Sequence, residues 1–311
     1  MPARRRRTRR RKNTKKEVPI RRVIYLIIAS FLLGIYLYFS SETRYWEGDN
    51  KISVVYQRRD GDVEISVFDP EVDEIKNIVI PGDTQVEVAR NLGVLKLVNV
   101  NKLGINEGLE GRLLAETVTK YFNFPVYVWA NENMSDFVSG NPIKIVTAIF
   151  SVSNTNLTFS DKIRLAFYSL KIKNTENTTI ELAKTSYIRK GTLEDGQEGY
   201  LLARTPSTTL LSIFAEPKIS KSTPRISIVN KSNTPLIANE VGEVVEVLGA
   251  KVTSITNTGD DVDGKTDCII IGKNKEVVKL LSRYFSCKTK DKASGEFDVE
   301  MQLGDKFRRR F

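Results

Sequence analysis

No histidine occurs anywhere in the 311 residues. That removes imidazole acid–base relays, Ser-His triads and histidine metal sites together. Cysteine is nearly absent too. With only Cys268 and Cys287 present, a cysteine-rich zinc site cannot be assembled. No glycine-rich phosphate loop of the P-loop or dinucleotide kind appears. An excess of charge is also missing from most of the chain. Lys and Arg number 48 against 38 Asp and Glu, yet the first 22 residues carry twelve of the basic side chains and one acidic one, Glu17. The remainder, 36 basic against 37 acidic, is close to neutral. No basic domain is implied, and no nucleic-acid partner is expected.

What is there begins with an uncharged run. Val23 to Phe39 contains no charged residue. As a helix with ~1.5 Å rise per residue it reaches roughly 26 Å, and Ser40 and Ser41 bring it near the ~30 Å core of a bilayer. Residues 23–40 are therefore expected to form a transmembrane helix. Tyr25, Tyr36, Tyr38 and Trp46 suit the two interfaces. Basic residues flank only the N-terminal side, which places residues 1–22 in the cytoplasm as a basic tail and the bulk outside the cell membrane. A cleaved signal peptide would need a shorter apolar region and a small-x-small site, and none follows Phe39. Membrane lipids are the expected partners of the helix and the tail.

The rest is long enough for two domains, a mixed α/β (α+β) unit over 41–215 and a smaller one over 225–311. In the first, Ile52, Val54 and Tyr56, then Asp60-Gly61, then Val63, Ile65 and Val67 predict a hairpin. Extended runs are expected at 75–80, 86–88 and 94–100, and a helix over 107–122. Ser160 is a candidate N-cap for a helix carrying Ile163, Phe167 and Leu170 on one side, and Ser207 for a short helix reaching Phe214. Residues 216–224, polar and bounded by prolines, predict a linker. The second domain predicts a β-α-β-β-α-β sandwich of ferredoxin-like type, with helices on one face of the sheet. In it Cys268 opens a strand and Cys287 follows the helix that runs back antiparallel. The two should meet as a disulfide outside the membrane.

Ile80-Pro81-Gly82-Asp83-Thr84 and the following Gln85 to Val88 resemble the Ile-Pro-Arg-Asp-Thr segment of the LytR–CpsA–Psr proteins, and Leu113 to Val126 is similar to the helix and strand that follow it there. Residues 225–307 resemble the LytR-type C-terminal domain, through Ile226, Ile228, Asn230, Ala238, Gly249, Leu303, Gly304 and Phe307. The resemblance implies a bacterial, membrane-anchored cell-envelope protein. It implies a phosphotransferase that moves anionic glycopolymer from polyprenyl-pyrophosphate to peptidoglycan, using Mg²⁺ and arginines to neutralise charge as the phosphoester bond breaks.

The sequence departs where that chemistry is concentrated. Gly82 stands where the motif has arginine, and the later arginine-rich block has no counterpart between 130 and 215. Losing one preorganised charge costs ~2.7–4 kcal/mol of transition-state stabilisation. Asp83 is the candidate catalytic and metal-binding residue, for Mg²⁺ if the enzyme reading holds. The reading preferred for it is an ordinary Pro-Gly-Asp-Thr turn with Gly82 at positive φ. Arg90, Lys96 and Arg112 are the candidate ligand-binding cations. The expectation is a degenerate relative that binds wall polymer, lipid carrier or an envelope partner without catalysis and without a cofactor. A divergent phosphotransferase comes second. A membrane-tethered DNA-binding regulator is a distant third, because residues 1–22 are too few to build a reading head.

Overall fold

The computed structural model describes residues 20–41, 45–172, 176–203, 206–232, 234–260, 264, 266–290 and 295–311. The chain divides into two compact units, Met1–Thr43 and Arg44–Phe311. In the first, helix α1 (Ile20–Ser41) is 22 residues long, and residues 1–19 of the basic tail lie outside the described residues. Side chains in α1 are described for residues 24–34, all of them exposed. Among the described residues no helix is long and apolar enough to cross a membrane.

The second unit begins with the expected alternation. Strands β1 (Ile52–Gln57) and β2 (Val63–Asp69) form an antiparallel hairpin, and β3 (Glu74–Ile80) extends it into a meander. A small hairpin of β4 (Gln85–Glu87) and β5 (Val94–Lys96) follows. The extended run expected over 94–100 breaks after Lys96, where α2 (Leu97–Asn106) starts and buries Leu97 and Val100. The helix expected over 107–122 is shorter, α3 (Arg112–Phe122), separated from α2 by Gly108 and Glu110 at positive φ. After β6 (Val128–Ala130) come α4 (Pro142–Ser151), α5 (Phe159–Lys171) and β7 (Asn177–Glu181).

The sheet order is β6-β1-β2-β3-β7, with both edge strands parallel to their neighbours. β2, the central strand, is buried along its whole length, Glu64 and Ser66 included, because the sheet is covered on both faces. One face (Val55, Ile65, Ile78) packs with Leu113, Val118 and Phe122. The other (Ile52, Val54, Phe68) packs with Ile145, Ala148, Leu165 and Ala166. The α5 register differs from expectation. Its N-cap is Thr158, locked in a capping box with Asp161, and Phe167 and Leu170 point outward, 69% and 43% exposed.

The hairpin β8 (Ile188–Thr192) and β9 (Glu198–Leu202) leads to α6 (Thr208–Ser212), whose cap is Ser207, accepting from Leu210 N at 3.2 Å. The stretch read as a linker holds α7 (Pro217–Ser220) and is packed: Ile219 is fully buried, and the Glu216 amide donates to the Leu248 carbonyl at 3.1 Å. The Glu216 carboxylate accepts from the Lys51 amide at 3.0 Å.

Beyond it run β10 (Arg225–Asn230), α8 (Ile237–Val247), β11 (Lys251–Asn257), β12 (Cys268–Gly272), α9 (Lys275–Phe285), β13 (Lys288–Lys290), β14 (Val299–Leu303) and α10 (Asp305–Arg308). Their order follows the sequence reading with one short strand added, but the pairing is not ferredoxin-like. The sheet reads β11-β10-β14-β12-β13, so each helix connects two adjacent parallel strands, β10 to β11 and β12 to β13. In the split ferredoxin-like arrangement another strand would lie between them. Cys268 and Cys287 form a disulfide, their Cα atoms 4.9 Å apart.

Candidate functional site

The motif-like segment is a turn. The Thr84 amide donates to the Pro81 carbonyl at 3.1 Å, Thr84 Oγ1 donates to the same oxygen at 2.7 Å, and Asp83 is exposed. Gly82 is not at positive φ, contrary to the sequence reading. It is glycine because backbone crowds it: a Cβ there would lie 2.4 Å from the Gly61 carbonyl oxygen. Its own amide donates to Asp62 Oδ1 at 2.9 Å, and its carbonyl accepts from the Val98 amide at 2.8 Å. An arginine has no room at 82 without displacing the β1–β2 turn. Among the described residues no group of three or more His, Cys, Asp or Glu could hold a metal. Lys96 is drawn to Gln197 and to Asp195, 3.6 Å away, against the β8–β9 hairpin.

Arg90 and Arg112, by contrast, meet in a cleft of about 560 Å³ between the first half of the unit and its C-terminal half. Arg90 sits in a 3₁₀ turn at φ +65°, a left-handed conformation that costs roughly 1–3 kcal/mol in a side-chain-bearing residue. Two bonds to Glu116, 2.6 and 2.7 Å, hold it there. Arg112 opens α3, its guanidinium 5.5 Å from the centre of the Trp129 ring. Gly111 permits that approach, since a Cβ on it would lie 2.4 Å from Trp129 Cδ1. The buried Trp129 Nε1 has no hydrogen-bond partner among the described residues.

The opposite wall comes from α9 and the chain end: Arg283, Lys306, Arg309 and Arg310. Arg310 is fixed by Asp267 at 2.9 Å and the Phe285 carbonyl at 2.8 Å, and lies over the Phe307 ring at 4.6 Å. Arg283 pairs with Glu47 at 3.0 Å. Hydrogen bonding from Lys279, and then from Arg283, holds the Glu47 carboxyl below its usual range against the opposing effect of partial burial. Arg112, Lys306 and Arg309 have no carboxylate partner among the described residues. Tyr127 and Tyr284, edge to face at 4.7 Å, join the two halves, and burial pushes both hydroxyls well above the ordinary tyrosine range.

Two of the sequence-predicted site residues thus come together, Arg90 and Arg112, while Asp83 and Lys96 lie elsewhere. The sequence reading missed Trp129, Arg283, Lys306, Arg309 and Arg310. The basic run 308–310 was visible, but only the fold brings it opposite Arg112.

No family model matches the chain, and no curated protein matches it. Solved structures do. TagT of Bacillus subtilis overlays 51% of this chain and 87% of its own, with 14% identity and a TM-score of 0.37. TagV of the same organism overlays 50% and 91%, with 12% identity and a TM-score of 0.37. For Lin1025 of Listeria innocua the figures are 52% and 93%, 14% and 0.36. One TagT structure holds LIIa-WTA. At this distance the likeness assigns no residue of the cleft.

Proposed function

We propose that this is a membrane-anchored cell-envelope protein, its tail cytoplasmic and its bulk outside, that binds an anionic glycopolymer in the cleft without transferring it. The carrying observation is the convergence of Arg112, Lys306 and Arg309, none of them neutralised by a carboxylate among the described residues, beside the face of Trp129. Cations of this kind attract phosphate or carboxylate groups, and an indole offers apolar area to a sugar ring. The degenerate LytR–CpsA–Psr reading agrees with the motif segment. Asp83 is exposed outside the cleft, and position 82 is closed to arginine by the Gly61 carbonyl. The anchor reading is supported by α1 and its exposed Ile24, Leu26, Ile27, Phe31 and Leu32.

The test is titration of the detergent-solubilised chain with a soluble glycerol-phosphate oligomer, with neutral dextran as control. Each charge-assisted bond is worth about 1.5–3 kcal/mol, so Arg112→Ala and Arg309→Ala should each weaken binding about tenfold or more. Asp83→Ala should leave it unchanged. Binding indifferent to both arginines removes the cleft as the site. Given Mg²⁺ and a polyprenyl-pyrophosphate-linked saccharide, the chain should leave the saccharide on its lipid. Turnover that disappears in Asp83→Ala would install the phosphotransferase reading instead.

A further inference from the structure

Helices α4 and α5 carry two apolar faces each, and the fold uses only one. Ile145 and Ala148 of α4, with Leu165 and Ala166 of α5, fill the core beneath the sheet. The other side of α4 presents Ile143, Val146 and Phe150, three and four residues apart and 76%, 48% and 75% exposed. The outer side of α5 presents Phe167 and Leu170, 69% and 43% exposed, in line with the half-buried Phe159 and Ile163. Phe150 and Phe159, ring centroids 5.8 Å apart, join the two stripes into one surface. An exposed apolar surface this continuous marks an interaction site.

The charge beside these stripes names the occupant. From Phe137 to Ile172 the sequence contains a single acidic residue, Asp161, which is fully buried, against Lys144, Lys162, Arg164 and Lys171. Lys171 is paired with the exposed Asp73, and Lys162 and Arg164 donate to the backbone carbonyls of Val152 and Glu47, which leaves Lys144, Lys162 and Arg164 as the charge beside the stripes that an anionic headgroup layer would match. Asp161, buried beneath this surface, ties α5 to the start of the second unit. It accepts from the backbone amides of Tyr45 at 3.3 Å and Trp46 at 3.0 Å, in the first turn of α5.

We propose that the exposed face of α4 and α5 lies on the outer leaflet of the bilayer as an interfacial contact, separate from the anchor. The inference rests on the anchor reading for its geometry, and the experiment separates the two. The full chain is reconstituted in phosphatidylglycerol–phosphatidylcholine vesicles as Phe150→Trp, Phe167→Trp and Val94→Trp variants. Val94 is an exposed control on β5, a strand whose hairpin packs on the other side of the sheet. Emission is compared between ordinary lipid and lipid brominated near the headgroup end of the acyl chain, after subtracting the parent chain.

Tryptophan at 150 and 167 should lose emission to bromine and shift to the blue, while tryptophan at 94 keeps its emission. Equal, negligible quenching at all three positions overturns the proposal. So does cross-linking that seats a second copy on this face in place of lipid. Alkaline carbonate extraction reads the anchor independently. Release of the chain with quenching intact would end the anchor reading and keep the interfacial one. Retention without quenching would do the reverse.

Discussion

Glu216 offers the sharpest test of the packing between the two halves of the second unit. It is fully buried, and burial raises its carboxyl from an ordinary value of 4.5 to about 7, outweighing the backbone amides of Lys218 and Lys51 that favour the charged form. A raised native pKa means that the folded chain holds the proton more tightly than the unfolded one. The contribution to stability is fully present below pH 4.5 and is lost as pH rises through about 7. The shift corresponds to about 3 kcal/mol at 1.36 kcal/mol per unit. Glu216→Gln removes the titration but keeps a carbonyl able to accept from the Lys51 amide. Urea unfolding of both chains from about pH 4 to about pH 8 should show the variant gaining about 3 kcal/mol relative to the parent across the window. The burial-raised Glu64 carboxyl titrates in both chains and cancels in the difference. A difference that stays flat with pH would refute the reasoning, since it would mean that water reaches the carboxylate.

Other consequences follow from single contacts. Gly82→Ala places a Cβ 2.4 Å from the Gly61 oxygen and should cost about 1–3 kcal/mol, read as a lower Tm; an unchanged Tm would remove the crowding argument. Replacing Cys268 and Cys287 by serine opens a loop with a sequence separation of 19 and should cost about 3 kcal/mol in urea unfolding. A reporter fused after Phe311 should be active outside the membrane and one fused before Arg4 inside, and the reverse pattern would end the proposed orientation.

Local chemistry made much of the fold legible. The alternation in 52–67 specified β1 and β2, Gly249 at φ +96° ended α8, and Ser207 capped α6, because each depends on residues a few positions apart. After β10 the Asn230 Oδ1 accepts from the Ser232 amide at 3.0 Å, a turn of the kind asparagine favours. What failed depends on distant partners. The N-cap of α5 is Thr158 and not Ser160, because Asp161 is shared between the capping box and the amides of Tyr45 and Trp46, more than a hundred residues upstream. The run 216–224 looked like a linker because Glu216 and prolines are usually solvated, yet its partners Lys51 and Leu248 bury it. Strand order in the C-terminal half is likewise invisible to periodicity, which reports faces and not neighbours. At the site, Arg90 and Arg112 were nameable as cations near the motif. Their confluence with residues 306–310 required the chain end to fold back over α3.

The seat of Gly82 against Gly61 also bears on how such a chain can change over generations. A codon changed to any larger residue would meet the Gly61 carbonyl and be removed for instability before the new side chain could be useful. The turn gains nothing by withdrawing while glycine remains, since the Asp62 and Val98 bonds hold the position. A side chain at 82 needs two coupled changes, in segments about twenty residues apart, neither favoured alone. Each segment thus holds the other unchanged across generations.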